Sequence, residues 1–596
     1  MSRLTTFTLL TFQSRLLSVM GIIGLGFVVI IGRLFYVQIY QHTAYEERAR
    51  RQYERTIAIE AQRGTIYDRR GNMLAVSVPV NSLFANPRNI DSPRAVAKSL
   101  APLLSMTNHE LMQKLDSDRS FVWIQRQMHP GIAEKIEDMN IKGLGMMQEF
   151  RRYYPAQELA ASLIGITGVD SQGLGGIEYE YNKILHGKKV VYVVEKDGTR
   201  RTIPSSEPED SGLPNQYSLH LTLDRSIQFF ADTALKQGVL EAKAQRGIAI
   251  VMHSATGAIL AMSTYPGFDP NNYQEYHSSF YLNLAVSAGY EPGSTIKPVT
   301  LAAALEEGII QPDQQFYCEK GMFRIANVVI HDTSSHAKMN LREIMQKSSN
   351  ICAAKIGLMI PREKFHQYLQ RFNFGMKTNI GVSGEATGKL LAPKKWTEVD
   401  QASISFGHGI LVSPLQLLSA LNVFATGGIW IPPYVADYVK NRDDEVLKEI
   451  RDKDNRTLYQ FGAREPHRVI SQRTAEMVKD FMVAVTEKGG TAPKAAINGY
   501  QVAGKTGTSQ VFDEKTGRYS REKHIALFGG FVPASSPVLS ILVVLEHPRT
   551  SPYGGIVAAP VFHQIAKKSL VLMDVLPTGM TTQNQPLSTG EPTRSR

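Results

Sequence analysis

Cysteine is scarce in this chain, since Cys318 and Cys352 are the only two among 596 residues. So few cysteines exclude a disulfide-based scaffold and a metal site built from cysteines. Zinc-finger, RNA-binding and P-loop patterns are lacking as well, so the net charge of +11 does not indicate nucleic-acid binding. A basic, solvated surface explains this charge, and it suits an anionic membrane or wall polymer.

One long apolar run lies near the N-terminus. Residues 16–32 carry no charged side chain, and after Arg33 the run continues to Tyr40 with aromatic residues near its end. Roughly 20 apolar residues cross a bilayer, so we predict a single transmembrane helix over residues 16–40. A cleaved signal peptide and a buried core helix are the alternatives, but no small-x-small cleavage site follows the run.

The first 15 residues contain Arg3 and Arg15 and no acidic residue. Basic residues before a membrane span favour the cytoplasmic side, so residues 1–15 are predicted to be a cytoplasmic N-terminus. The chain beyond about residue 40 is then expected outside the cytoplasm.

Turn-rich sequence divides the rest of the chain into two domains. Residues 41–215 include a predicted hairpin with its turn at Arg70-Gly-Asn72, and they end in a turn-rich boundary over 196–215. Residues 216–575 mix helical patterns with predicted strands near 217–224, 247–262 and 500–546. This pattern predicts an α+β fold with an antiparallel sheet flanked by helices. The polar tail over residues 576–596 is predicted to be disordered.

Several charged residues are interpreted as structural. Arg63, Asp68 and Arg69 are expected to form an ion-pair cluster. His331 and Asp332 have no ligand-spaced partners, so we interpret them as surface structure and predict neither a metal site nor a cofactor.

The candidate chemistry begins at Ser294-x-x-Lys297. Pro298 is tolerated only in the first turn of a helix, so a helix is expected to begin at about Ser294 and to end at Gly308. Residues three apart share one helix face, so the Ser294 hydroxyl and the Lys297 amine can touch. This arrangement pairs a nucleophile with a possible base.

Two further elements favour Ser294 as the nucleophile. They are Ser348-Ser-Asn350 and Lys505-Thr-Gly-Thr508. Together the three elements are the signature of class A β-lactamases and penicillin-binding proteins.

Other copies of these short patterns occur in the chain. They are Ser335-x-x-Lys338, Ser520-x-x-Lys523 and Lys515-Thr-Gly517. The last lies in a polar stretch that is typical of a hairpin tip, so we prefer the copy at Lys505.

The residue types predict a division of labour. Lys297 can accept the Ser294 proton only if burial or a nearby cation favours its neutral form, and Lys505 would supply such a cation. Ser348 is the predicted proton relay to the leaving amine. Asn350 is expected to fix the Lys297 side chain or a substrate amide.

The strand around Gly507 is predicted to bind the substrate. Thr506 and Thr508 offer hydroxyls for a carboxylate, while Gly507 lets a peptide approach the backbone and add to the sheet edge. The N–H groups of Ser294 and Thr508 would form the oxyanion hole. His408, between two glycines, is interpreted as part of a loop that lines the cleft rather than as a base.

The sequence resembles the class B penicillin-binding proteins from its anchor to about residue 573, and most closely their septal type. Besides the three elements above, the most specific segments are Arg63-Gly-x3-Asp68-Arg69-x-Gly71, Gly173-x2-Gly176-x-Glu178 and Phe406-Gly-His-Gly409. The resemblance implies an elongated β-rich pedestal of the dimerisation type over residues 41–215. It implies a serine β-lactamase-like transpeptidase domain over residues 216–575.

The resemblance also implies a periplasmic D,D-transpeptidase anchored in the inner membrane. Ser294 would attack the D-Ala–D-Ala bond of a peptidoglycan stem peptide and pass the acyl group to an amine on a neighbouring strand. β-Lactam antibiotics would acylate the same serine. A membrane glycan polymerase of the SEDS family and other division proteins are the implied partners. Septal rather than elongation type depends on Leu74–Val80 and Tyr553–Phe562.

Four alternatives share these motifs. An elongation-type transpeptidase would act in the side wall, and a D,D-carboxypeptidase would hand the acyl group to water. A β-lactamase or antibiotic sensor would also carry the three elements, although no sequence pattern identifies the water-activating carboxylate of a class A β-lactamase. Finally, the chain could be a largely structural scaffold of the division complex.

Overall fold

The computed structural model describes residues 3–59, 62–186, 190–196, 202–203, 217–452, 454–513 and 518–577. The tail beyond residue 577, most of the predicted boundary at 196–215 and the second Lys-Thr-Gly at 515–517 lie outside the described residues. The chain divides into two compact units, one formed by residues 1–61 and 188–214 and the other by the remainder.

Helices and strands alternate along the chain in three stretches. The first contains α1 (Arg3–Phe35), α2 (His42–Tyr53), β1 (Glu54–Ile59), β2 (Ile66–Tyr67), β3 (Met73–Ala85), α3 (Pro93–Leu104), α4 (Asn108–Leu115), β4 (Val122–Gln125), α5 (Pro130–Asp138), β5 (Leu144–Tyr153), α6 (Ala161–Ile164), α7 (Gly176–Glu180), α8 (Asn182–Leu185), β6 (Val190–Lys196) and β7 (Thr202–Ile203). The second contains β8 (Ser218–Leu221), α9 (Arg225–Ala242), β9 (Arg246–His253), β10 (Ile259–Tyr265), α10 (Leu284–Ser287), α11 (Lys297–Glu306), β11 (Gln315–Tyr317), β12 (Met322–Ile325), β13 (Val328–His331), β14 (Lys338–Asn340), α12 (Leu341–Lys347), α13 (Asn350–Met359) and α14 (Arg362–Arg371). The third contains α15 (Glu398–Ile404), α16 (Pro414–Ala425), β15 (Ile429–Trp430), β16 (Ala436–Lys440), β17 (Val446–Leu447), β18 (Glu449–Arg451), β19 (Thr457–Gln460), β20 (His467–Arg468), α17 (Gln472–Val483), β21 (Ala503–Asp513), β22 (Arg518–Val532), β23 (Leu539–Glu546), α18 (Gly554–Val557) and α19 (Ala559–Leu572).

The first unit carries the predicted apolar helix. α1 continues as a π-helical turn over Tyr36–Tyr40. The stretch Arg15–Tyr40 has a mean hydropathy of 2.2, and its most apolar part is not buried against the rest of the protein. Its length and composition are therefore those of a helix that crosses a membrane. The unit also contains a three-stranded sheet in the order β1-β6-β7.

In the second unit, strands from before and after residue 215 share one sheet. This sheet runs β17-β16-β8-β2-β3-β4, with β5 paired along β3. β2 pairs antiparallel with β3 across the predicted turn at Arg70–Asn72, which confirms the hairpin. β8 pairs in parallel with β2 and antiparallel with β16. The pedestal strands and the following domain are therefore hydrogen-bonded to each other directly.

The predicted α+β fold is confirmed by a five-stranded antiparallel sheet in the order β10-β9-β23-β22-β21. Every residue of the central strand β23 is buried, so helices cover both faces of the sheet. α9 and α19 pack against each other and against the sheet, and α16 packs against β22 and β23. The strands predicted near 217–224, 247–262 and 500–546 correspond to β8, to β9 and β10, and to β21, β22 and β23.

A buried ion-pair cluster joins two of the pedestal segments that the sequence singles out. Arg63 Nε donates to Glu178 Oε2 at 2.6 Å, and Arg152 Nε donates to Glu178 Oε1 at 2.6 Å. Burial alone would raise the pKa of Glu178, but the two guanidinium groups bring it below its ordinary value. The predicted cluster therefore forms around Arg63, but its acid is Glu178. Asp68 instead holds the hairpin turn by accepting hydrogen bonds from the Arg70 and Asn72 N–H groups.

Replacing Glu178 with Ala is expected to lower the free energy of unfolding by about 3–5 kcal/mol, because two buried guanidinium groups would lose their counter-charge. Urea unfolding of the full chain in detergent measures this loss. Glu137→Ala, at an exposed helical position, is the matched control and should stay within about 0.5 kcal/mol of the wild type. Equal losses in the two variants would contradict this account of the cluster.

Candidate active site

The candidate nucleophile lies at the start of a helix, as the sequence predicts. A 3₁₀ turn over Gly293–Ile296 leads directly into α11, whose first turn contains Pro298. Gly308 follows the end of this helix with φ +66°, a conformation that favours glycine. Ser294 is half-buried within the 3₁₀ turn.

The Lys297 amine is fully buried and faces the Ser348–Asn350 element. It donates hydrogen bonds to the Ser348 carbonyl oxygen at 2.6 Å, to Ser348 Oγ at 3.2 Å and to Asn350 Oδ1 at 2.8 Å. Ser348 adopts a left-handed conformation between α12 and α13, with φ +61°. This kink turns both its hydroxyl and its carbonyl oxygen toward the amine.

One predicted contact is not found as a hydrogen bond. The sequence places the Ser294 hydroxyl beside the Lys297 amine, yet among the described residues that hydroxyl has no hydrogen-bond partner. A protonated lysine amine has three donors and no acceptor. All three donors are taken by oxygens of Ser348 and Asn350, so accepting the Ser294 proton requires the neutral amine.

Lys505 approaches the same hydroxyl from β21. Its buried amine donates to Ser348 Oγ at 2.9 Å and to the Thr506 carbonyl oxygen at 3.2 Å. Ser348 Oγ therefore lies between two lysine amines that are 208 residues apart in the chain (505 − 297).

Burial of both amines shifts their pKa values downward. Burial lowers the pKa of Lys505 to about 7. Burial and the neighbouring Lys505 charge together bring the pKa of Lys297 well below its ordinary value, and Asp332 acts in the opposite direction. Neutral Lys297 is therefore accessible near neutral pH, as a general base requires.

β21 lies against the nucleophile turn at Gly507. A Cβ on Gly507 would lie 2.9 Å from Pro292 O and 2.9 Å from Thr295 Cγ2. Glycine here lets the strand approach the protein's own turn, a role that the sequence analysis assigned to substrate approach. In the described part of the chain β21 is the last strand of its sheet, so its outer edge suits an added extended peptide.

The predicted oxyanion-hole groups lie close together. Gly293 has φ +53°, and a Cβ there would lie 3.0 Å from Thr508 O, so the turn that carries Ser294 adjoins Thr508. Ser294 is the second residue of a helical turn, where an N–H group lacks an intrahelical acceptor. Thr508 is half-buried at the same place.

His408 pairs with a carboxylate rather than with Ser294. Its Nδ1 lies 2.9 Å from Glu291 Oε2, while Glu291 Oε1 accepts hydrogen bonds from the Gly409 N–H and the Tyr519 hydroxyl, each at 2.8 Å. This ties the loop that contains His408 to the segment before Ser294. Sequence reasoning missed Glu291, because nothing in the local pattern marks its partners.

The other Ser-x-x-Lys copies have different surroundings. Ser335 Oγ donates to the Lys320 carbonyl oxygen, and Ser520 Oγ accepts from the N–H groups of its own turn. Lys338 and Lys523 are exposed. Neither copy therefore pairs a serine with a buried lysine.

The two cysteines, to which the sequence assigned no role, form a disulfide. Cys318 and Cys352 have Cα atoms 5.3 Å apart, and both side chains are fully buried. The bond joins the segment before β12 to the first turn of α13.

The chain matches two protein-family models. Residues 247–567 match the penicillin-binding protein transpeptidase domain, and residues 58–216 match the penicillin-binding protein dimerisation domain. The chain therefore belongs to the penicillin-binding protein transpeptidases. Its α+β domain with the Ser294, Ser348 and Lys505 elements is a serine-type peptidoglycan D,D-transpeptidase domain, and its apolar N-terminal helix is a membrane anchor.

Relatives extend over almost the whole chain. It is 32% identical over 574 residues to the probable peptidoglycan D,D-transpeptidase PenA of Neisseria meningitidis, covering 96% of this chain and 94% of that protein. It is 31% identical over 570 residues to the peptidoglycan D,D-transpeptidase FtsI of Escherichia coli, covering 94% and 92%.

Solved structures share the fold. Penicillin-binding protein 3 of Mycobacterium tuberculosis in complex with aztreonam matches with a TM-score of 0.67 at 24% identity, covering 87% of this chain and 98% of that one. A peptidoglycan synthetase of Bifidobacterium adolescentis matches with a TM-score of 0.69 at 24% identity, covering 89% and 98%.

Proposed function

We propose that Ser294 is the acylated nucleophile, Lys297 its general base and Ser348 the proton relay of the D,D-transpeptidase reaction. The observation that carries this proposal is the position of Ser348 Oγ, 3.2 Å from the Lys297 amine and 2.9 Å from the Lys505 amine. A hydroxyl between two amines, one of them favoured in its neutral form, can take a proton from one side and give it to the other.

Acylation begins when Ser294 Oγ attacks the carbonyl carbon of the D-Ala–D-Ala bond and its proton passes to neutral Lys297. The N–H groups of Ser294 and Thr508 stabilise the oxyanion of the tetrahedral intermediate. As the intermediate collapses, the C–N bond breaks, and the leaving D-alanine amine receives a proton from Lys297 through the Ser348 hydroxyl. The product is an ester between Ser294 and the stem peptide.

Deacylation reverses the proton path. An amine of a neighbouring stem peptide attacks the ester carbonyl and loses a proton to Lys297 through the Ser348 hydroxyl. The C–O bond to Ser294 breaks, and Lys297 returns a proton to the serine oxygen. A new amide cross-link forms, and the enzyme is regenerated. Attack by water in the same position would give a carboxypeptidase.

Substrate binding is assigned to β21. The positive charge of Lys505 and the hydroxyls of Thr506 and Thr508 suit the terminal carboxylate of the stem peptide. Asn350 holds the Lys297 amine and leaves the peptide backbone to the outer edge of β21. Gly507 allows the nucleophile turn to reach this strand.

A donor–acceptor assay tests this function. The full chain in detergent is given a synthetic stem pentapeptide and rising concentrations of an amine acceptor. We expect D-alanine release together with an amide product that grows with acceptor at the expense of the hydrolysed tetrapeptide. Release of D-alanine with no amide product would identify a carboxypeptidase, and no release from an acylable enzyme would favour the scaffold role.

The acylation rate constant is expected to depend on pH as a bell. It should rise on the acidic side as Lys297 loses its proton, because its depressed pKa places neutral amine well below the usual range of lysine. It should fall above about pH 7 as Lys505 loses the charge that attracts the carboxylate.

Stopped-flow acylation by a penicillin between about pH 5 and about pH 10 measures this profile. In Lys505→Arg the guanidinium keeps its charge throughout this range, so the basic limb should disappear. A wild-type rate that continues to rise above about pH 8 would contradict the assignment of the basic limb.

We propose that the protein acts in septal wall synthesis, with its N-terminus in the cytoplasm and its catalytic domain in the periplasm. Leu74–Val80 and Tyr553–Phe562 support the septal type by their resemblance to the division enzymes, and Arg3 and Arg15 support the orientation. Depletion in the native cell should then give unseptated filaments. Rounded cells that still divide would identify the elongation type.

The proposed partners are a membrane glycan polymerase of the SEDS family and other division proteins, reached through α1 and the pedestal. Cross-linking of the full chain in native membranes, followed by mass spectrometry, tests them. A variant in which α1 is replaced by an unrelated membrane helix is the control. Equal recovery of the polymerase with both anchors would remove α1 from the interface.

A further inference from the structure

The segment between β13 and β14 contacts the Ser348–Asn350 element, although the sequence marked it as surface structure. Asp332 Oδ1 accepts hydrogen bonds from the N–H of Asn350 at 2.5 Å and from the N–H of Ile351 at 3.1 Å. Its Oδ2 accepts the Ser349 hydroxyl proton at 2.5 Å. Asp332 thus engages both carboxylate oxygens at the N-terminus of α13, where a negative charge is also favoured by the helix dipole.

The residue before Asp332 orients the Asn350 amide. The His331 carbonyl oxygen accepts a hydrogen bond from Asn350 Nδ2 at 3.0 Å. With Nδ2 committed to this carbonyl, Oδ1 faces the Lys297 amine at 2.8 Å. The His331–Asp332 dipeptide therefore fixes both the backbone and the side chain of Asn350.

The disulfide attaches the same segment to α13 a second time. Cys318 lies just before β12, and Cys352 lies two residues after Asn350. The Cys352 N–H donates to Ser349 Oγ at 3.1 Å, so the disulfide and the Asp332 contacts meet in one turn. The hairpin of β12 and β13 is thereby held at both ends against the element that contacts Lys297.

We propose that Asp332 is a positioning residue for acyl transfer, which holds Ser348 Oγ and Asn350 Oδ1 against the Lys297 amine through the first turn of α13. It contacts neither Ser294 nor the substrate site on β21, so it acts through these groups. This inference rests on the proposed function, because it assumes that Lys297 and Ser348 move the proton.

Two effects of Asp332 can be separated. Its hydrogen bonds set the geometry of Ser348–Asn350, and a misplacement of about 1 Å in such a site costs on the order of 100-fold in rate. Its charge faces Lys297, as does the charge of Lys505, while Ser348 and Asn350 are neutral. Removing the Asp332 charge lowers the pKa of Lys297 further.

The test compares Asp332→Ala and Asp332→Asn with the wild type, as full chains in detergent, by the rate constant for acylation with a fluorescent penicillin. We expect Asp332→Ala to be slower by roughly 10- to 100-fold. Asp332→Asn keeps an oxygen for the two N–H groups, so it should recover most of the rate. Its acidic limb should move to lower pH.

Asp224→Ala is the matched control, since Asp224 caps α9 by accepting from the Ser226 and Ile227 N–H groups. It should lose stability yet acylate at the wild-type rate. An Asp332→Ala rate within about twofold of wild type would overturn the proposal. A loss that Asp332→Asn does not recover, with no shift of its acidic limb, would also overturn it.

If Asp332→Ala does not fold, the limb shift in Asp332→Asn decides between support and rejection. Failure of the wild type to acylate at Ser294 would instead reject the proposed function, which keeps the two failures distinguishable.

Discussion

Replacing Lys297 with Ala is expected to lower the acylation rate constant by about 10²–10⁴-fold, the usual contribution of a general base. The Lys297 amine is the buried base beside Ser348 Oγ, and alanine offers no group to take the Ser294 proton. The variant also loses the donor to Asn350 Oδ1, but it no longer buries an amine, so the fold should survive. Stopped-flow acylation with a fluorescent penicillin measures the rate, and circular dichroism checks the fold.

Lys364→Ala serves as the control for this prediction, because Lys364 is a half-exposed lysine on α14. Its acylation rate should equal that of the wild type. A Lys297→Ala variant that keeps its fold and acylates within about tenfold of wild type would remove Lys297 as the base.

The second large effect is expected for Gly407→Ala. Gly407 has φ +95°, and a Cβ there would lie 2.0 Å from the Gly293 carbonyl oxygen. The Gly293 N–H also donates to the Gly407 carbonyl oxygen at 3.1 Å, so the two loops are bound together. The substitution must push the nucleophile turn away from its place, and a shift of about 1 Å in such a site lowers rates on the order of 100-fold.

Gly409→Ala separates this clash from backbone strain. Gly409 also has a positive φ, +78°, but the nearest atom to its added Cβ is Ile404 Cγ1 at 3.9 Å. We expect it to lose some stability while acylation falls much less than in Gly407→Ala. Similar acylation rates in both variants would show that the contact between Gly407 and Gly293 does not set the position of Ser294.

Local patterns predicted much of the fold and of the candidate site. The apolar length of α1, the turn at Arg70–Asn72 and the proline in the first turn of α11 each act within a few residues. Such signals are readable because the physical constraint and the sequence pattern have the same range. The three short elements around Ser294, Ser348 and Lys505 were found in the same way.

Contacts between distant residues were not predictable. Glu178 replaced Asp68 as the acid of the Arg63 cluster, because the choice depends on how α7 packs against β5. The disulfide between Cys318 and Cys352 needs two side chains brought together across a separation of 34 residues. Asp332 looked like surface structure because its partners are the N–H groups of another helix, which leave no trace in side-chain spacing.

The measurement that tests the account most directly is the intact mass of the full chain after incubation with a penicillin, followed over hours, with the adduct located by peptide digestion. The account predicts a long-lived addition of one penicillin, carried by the peptide that contains Ser294 and lost in Ser294→Ala. Rapid hydrolysis of the penicillin with no lasting adduct, an adduct on another residue, or no reaction would contradict it.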